Sequence, residues 1–226
     1  MNSKNLIAFT LSEVLITVVV IGLVATLTVP TLIKNYQKIV LENQFKKAVA
    51  VLNESVKLWQ LDENNIWETY YDGNDQKGKA LRASFVKYLK GNKVKTPTEL
   101  KPYYTSIKNS TQQMHYCPAS CCGHPLASNR MIETFDGIMY GVCARDNQLN
   151  FYFDLNGYDK GPNKWGIDLF DFDYNKDNRL YNNYTCSSSG CANYFSYKYN
   201  GTNVNDGIGC TTCALQRSDY FRKIDW

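Results

Sequence analysis

The chain has 226 residues, a net charge of +4 and a pI near 8.5. That length holds one domain of ordinary size plus an appendage, and a charge so mild and so scattered argues against nucleic acid as an obligatory partner. Seventeen Tyr, ten Phe and four Trp favour a packed, β-rich body over disorder, while two histidines are few for an enzyme that uses His as base or metal ligand.

The first element is apolar. Val14 to Ile33 is a run of 20 residues without a charge. As a helix it would span about 30 Å, the thickness of a bilayer core. Lys4 precedes it, and Lys34 and Lys38 follow it, so flanking charge does not settle orientation. Glu13 stands at its front edge. Three readings are open: a cleaved signal peptide, a plain signal anchor with Glu13 at headgroup level, or a segment in which Glu13 has a job. A signal peptide wants an uninterrupted apolar core and a small-x-small site after it, and Thr26, Leu27, Thr28 and Val29 provide no good site before Pro30.

The stretch AFTLSEVLITVVVIGLVATLTVP, inside a match over about residues 1–60, resembles the N-terminus of type IV prepilins and type II secretion pseudopilins. The resemblance implies a leader, Met1–Ala8, removed by a prepilin peptidase on the cytoplasmic side. Phe9 would become the N-methylated new terminus. Glu13 would then be the glutamate that the family keeps, and Pro30 its helix-kinking proline; Ala8 departs from the glycine preferred before the cut. A carboxylate near lipid costs a few kcal/mol unless it is paired. Cleavage would create an α-amine at Phe9, about one helical turn from Glu13. A pair between that amine and Glu13 of a neighbouring subunit would set axial register, as a buried polar residue does in a coiled coil.

From Leu41 the apolar positions run Leu41, Phe45, Ala48, Leu52, Val56 and Trp59, with helical spacing and a charged opposite face. One helix from about Thr10 to Leu61, kinked at Pro30, is expected. Its first half suits lipid or a helical bundle, and its second half suits a globular head. Lys79 to Lys90 reads as a second short helix. Strands are expected at about Met131–Thr134, Ile138–Ala144, Leu149–Leu155 and Leu169–Tyr174, with hairpin turns at Asp136-Gly137 and near Arg145 to Asn147. The remainder reads as loop-rich. The fold class is α+β, a long N-terminal helix packed on a small antiparallel sheet, pilin-like. The expected divisions are residues 1–8 leader, 9–33 transmembrane or filament-core helix, 34–61 amphipathic helix and 62–226 disulfide-containing head.

The cysteines Cys117, Cys121, Cys122, Cys143, Cys186, Cys191, Cys210 and Cys213 all follow residue 116. An even number downstream of an apolar segment suits disulfides in an extracytoplasmic domain, and four bridges can pair in 105 ways. Cys210-Thr-Thr-Cys213 has redox spacing but no βαβ frame around it. Cys117, Cys121, Cys122 and His124 are poorly spaced for zinc.

Phe153 to Phe172, dense in Asp, Asn and Gly, resembles a stretch found in many pilin-like heads. Asp154, Asn156 and Asp168 offer the oxygens that calcium prefers, or they cap their own backbone turns. Asp173, Asn175 and Asp177 alternate as an EF-hand loop begins, but Asn178 and Tyr184 stand where its Gly and Glu would be. Nucleotide-binding, serine-hydrolase and zinc-protease patterns are absent from the sequence.

The expected function is structural: a filament subunit of a type IV pilus or type II secretion system, with no catalytic residue. It would wait in the cytoplasmic membrane with its head outside, then enter a surface or periplasmic filament. Its partners would be other pilin subunits, the peptidase, an assembly platform and the membrane, with calcium in the head as a possible cofactor. The alternative is a single-pass anchored domain that binds a ligand, or exchanges thiols through Cys210 and Cys213.

Overall fold

The computed structural model describes residues 9–63, 65–66, 69, 80, 83–89, 93–96, 98–99, 108–109, 112–113, 131–145, 148–161, 163, 165–177, 179–181, 186 and 210–224. One helix dominates it. Helix α1 runs unbroken from Leu11 to Glu63 through Pro30, 53 residues or about 80 Å. The expected helix ended within two residues of both bounds.

The two halves of α1 meet different surroundings. From Leu11 to Ile33 every side chain is exposed. From Leu41 onward one stripe is buried: Leu41, Phe45, Ala48, Leu52, Ser55, Val56 and Trp59. Steps of three and four keep this stripe on one face. Every apolar position in it is one that the sequence periodicity picks out.

The stripe lies on a six-stranded antiparallel sheet in the order β1-β4-β5-β6-β7-β8. The strands are β1 (Lys93–Lys95), β4 (Met131–Glu133), β5 (Met139–Arg145), β6 (Gln148–Asp154), β7 (Leu169–Tyr174) and β8 (Leu180–Tyr181). A separate two-stranded ladder pairs β2 (Lys108–Asn109) with β3 (Gln112–Gln113). Tyr140, Phe151 and Phe153 sit opposite one another or opposite Phe170 and Phe172 across β5, β6 and β7. These rings form the core with Phe45, whose ring centroid lies 4.6 Å from Phe170 and 5.4 Å from Phe221.

Polar contacts lock the helix to the head. Trp59 Nε1 donates to Ser84 Oγ at 3.0 Å, and Ser84 Oγ donates to Glu63 Oε1 at 3.0 Å. Gln60 Nε2 donates to the Tyr174 hydroxyl at 2.9 Å, and Ser55 Oγ to the Tyr88 carbonyl at 3.0 Å. Within the expected helix at residues 79–90, residues 83–85 are helical and continue into a 3-10 turn, Val86–Tyr88.

The region after Tyr174 departs from the loop-rich expectation. It contributes the edge strand β8 and two short helices, α2 (Thr211–Gln216) and α3 (Tyr220–Lys223). Strand β8 pairs with Asp173 and Tyr174. Beyond it the Thr211 hydroxyl donates to the Asp171 carbonyl at 2.7 Å and accepts from the Asp171 N–H at 3.3 Å. One hydroxyl therefore continues the edge of β7 where the ladder stops.

Candidate anchoring and assembly site

The site begins at Thr10. Thr10 precedes α1, and its hydroxyl accepts the Glu13 N–H at 3.2 Å. Glu13 Oε2 accepts both the Thr10 N–H and the Thr10 hydroxyl at 2.8 Å. This is a reciprocal capping box, which satisfies orphan donors at a helix start. It gives Glu13 a local partner that register arguments alone did not supply. The Thr-x-x-Glu spacing carries the signal in the sequence.

Below the box the helix surface is apolar on all sides. Val19, Ile21, Leu23, Leu27 and Leu32 are exposed, and Phe9 is 83% exposed. Three of the four threonines of this stretch bond back to the helix: Thr17 donates to the Val14 carbonyl at 2.8 Å, Thr26 to Gly22 at 2.7 Å and Thr28 to Val24 at 3.0 Å. Their hydroxyls are thereby satisfied without water. Pro30 has no N–H to donate, yet the helix continues past it. Among the described residues α1 is the one helix long and apolar enough to cross a membrane, and none of its apolar 18-residue window is buried.

The cysteines fall in two groups. Cys186 and Cys213 form a disulfide across 27 residues, with Cα atoms 4.7 Å apart. Cys210 is also disulfide-bonded. The Cys210–Cys213 spacing is therefore not a redox bridge, because Cys213 pairs with Cys186. Both cysteines are buried at the start of α2. Cys143 lies on β5. Cys117, Cys121, Cys122 and Cys191 lie outside the described residues, as do His124 and Ala8.

The calcium donors are only partly gathered. Asp154 and Asp168 are fully buried at the two ends of the 155–167 loop. Asp154 Oδ1 accepts the N–H groups of Asn156 at 3.2 Å and Gly157 at 3.0 Å, while Asp168 Oδ2 accepts the Asn163 N–H at 2.8 Å. The amides of Asn156 and Asn163 donate to the carbonyls of Gly161 at 3.1 Å and Tyr158 at 3.0 Å, and among the described residues their side-chain oxygens accept nothing. These contacts make the loop a set of Asx turns around two buried carboxylates. Among the described residues no three acidic, His or Cys groups come together.

The second set is dispersed. Asp173 bonds to Asn150 on the buried outer face of the sheet. Asn175 Oδ1 accepts the N–H groups of Asp177 at 3.0 Å and Arg179 at 3.1 Å, closing its own turn. Strand β7 ends at Tyr174, so Asp173 lies on the strand while Asn175 and Asp177 lie in the turn that follows it.

A cavity of about 250 Å³ lies between α1 and the β4–β5 turn, bordered by Val51, Leu58, Phe135 and Tyr140. Lys47 Nζ closes one side with an ion pair to Asp136 at 2.7 Å. No protein-family model, no curated protein and no solved structure matches this chain.

Proposed function

We propose that the chain is a membrane-anchored, filament-forming subunit of the type IV pilin or type II secretion pseudopilin kind. The observation that carries this reading is the division of α1. Residues 11–33 bury nothing, whereas Leu41 to Trp59 of the same unbroken helix are built into the head. A continuous, solvent-avoiding rod on a folded head suits both a membrane span and later burial among like helices. The Thr-x-x-Glu box at the tip of the rod, and the resemblance of that segment to prepilins, support it further.

In this reading a peptidase cuts after Ala8, Phe9 is methylated, and the head faces the extracytoplasmic side. Burial of Cys210 and Cys213 in disulfides suits an oxidising compartment and disfavours the thiol-exchange alternative. Mass spectrometry of the chain from its native membrane is expected to find N-methyl-phenylalanine from Phe9. An intact Met1 would sink the reading. Glu13→Ala is expected to leave membrane insertion intact and to abolish most filament yield. A normal yield would remove the register role of Glu13.

A further inference from the structure

The face of α1 that packs on the head does not end where the head ends. Continuing the stripe from Phe45 and Leu41 toward the N-terminus, in steps of three and four, reaches Lys38 and then Lys34. These lysines lie beneath the head, on its own side of the helix. Helix α3 reaches the same level: Phe221 packs on Phe45, and Lys38 Nζ donates to the Arg222 backbone carbonyl at 3.2 Å. Arg222 is exposed there, with its guanidinium on the Ser218 carbonyl at 3.3 Å.

The nearby carboxylates are engaged elsewhere. Asp219 holds Arg217 at 3.2 Å and Lys223 at 2.6 Å, and Glu42 holds Lys46 at 2.6 Å. Among the described residues no carboxylate lies within ion-pair distance of Lys34, Lys38 or Arg222. Tyr36, 66% exposed, stands between the two lysines. Lys34 and Lys38 lie about 1.5 and 7.5 Å along the helix beyond Ile33, the last residue of the uncharged run. A headgroup layer is roughly 5–7 Å thick, so the basic positions fall within it or at its outer edge, and a tyrosine at that depth is the usual interfacial anchor.

We propose that Lys34, Lys38 and Arg222 form a basic collar that binds anionic phospholipid headgroups in the leaflet facing the head. This rests on the membrane reading above. The occupant is chosen by charge and by level: three cations without acidic partners among the described residues, directly continuous with the span, face a surface that carries phosphates. The collar holds the underside of the head against the membrane until the subunit is withdrawn.

The test uses the full chain reconstituted in phosphatidylcholine vesicles with trace spin-labelled phosphatidylglycerol or spin-labelled phosphatidylcholine. The immobilised fraction of each label gives the lipid preference. At low salt the native chain is expected to favour phosphatidylglycerol at least about fivefold, on the scale of a single basic residue near a charged surface. The triple variant Lys34→Gln/Lys38→Gln/Arg222→Gln should fall below about twofold, as should the native chain in roughly 0.5 M salt. Lys34→Arg/Lys38→Arg should keep the preference, which separates charge from misfolding. Resistance to alkaline carbonate with no preference, or an unchanged preference in the glutamine variant, overturns the collar alone. Release by carbonate overturns the membrane reading itself. Cross-links between chains through Lys34 or Lys38 that ignore the lipid content would show that a second copy occupies the face, and would also overturn the collar.

Discussion

Thr10 and Glu13 hold one another at the tip of α1, and this gives Glu13 two separable duties. One is local: it caps the helix. The other, register between subunits, is the proposed one. Thr10→Val removes only the hydroxyl contacts and is expected to cost about 0.5–2 kcal/mol at the helix start. Amide exchange of the first turn should speed up, while filament yield should stay well above that of Glu13→Ala. Equal loss in both variants would mean that capping is all Glu13 does. Gly166 offers a second test at this scale. Its φ is +76°, and an added Cβ would sit 3.1 Å from both the Cys210 Cβ and the Tyr220 hydroxyl oxygen, whose proton is donated to the Gly166 carbonyl at 2.6 Å. Gly166→Ala meets a left-handed backbone and a crowded site together, for a cost of about 2–4 kcal/mol. The thermal midpoint should drop by roughly 5–15 °C.

At the scale of elements, the legible ones were those with long periods. The 3.6-residue stripe from Leu41 to Trp59 and the alternation in β5, β6 and β7 need only the chain itself to be seen. Helices α2 and α3 have six and four residues, too short for any period to register. They exist because Phe221 reaches Phe45 and the Cys186–Cys213 bond ties α2 down, and both are long-range contacts. The calcium donors were picked by spacing alone, which does not show that Asp173 lies on β7 while Asn175 follows the strand and closes its own turn. The Asp-Gly turn, by contrast, was legible, and Gly137 takes the φ of +81° that such a turn requires. Its lock is titratable. Burial raises the Asp136 carboxyl, but hydrogen bonds from Lys47 and Thr134 more than offset this and leave it below the usual carboxylate range. A depressed folded value means that the contribution is present above the ordinary pKa, about 3.9, and is lost as pH falls through the lower folded value. Asp136→Asn is expected to flatten that acid limb in denaturation curves taken below about pH 4. At neutral pH it should cost about 0–1 kcal/mol, since Lys47 is more than half exposed.

The described molecule is a head with its own apolar core and a rod whose apolar side chains are exposed. The core of the head begins at Leu41, and the described core rings all belong to residues from Phe45 onward. The rod from Leu11 to Ile33 adds nothing to that core. Hydrophobic stabilisation follows area removed from water, so the rod should contribute almost nothing to the stability of the head while deciding where the protein resides. A chain beginning at Lys34 keeps Lys38 on the Arg222 carbonyl and all of the buried stripe. It is expected to leave the membrane fraction in alkaline carbonate, to form the Cys186–Cys213 bond under oxidising conditions, and to unfold within about 3 °C of the full chain in detergent, a difference of roughly 1 kcal/mol. A large loss of stability would mean that the exposed half of α1 packs on the head. The apolar rod would then belong to the fold and would not be a part held ready for lipid or for neighbouring copies.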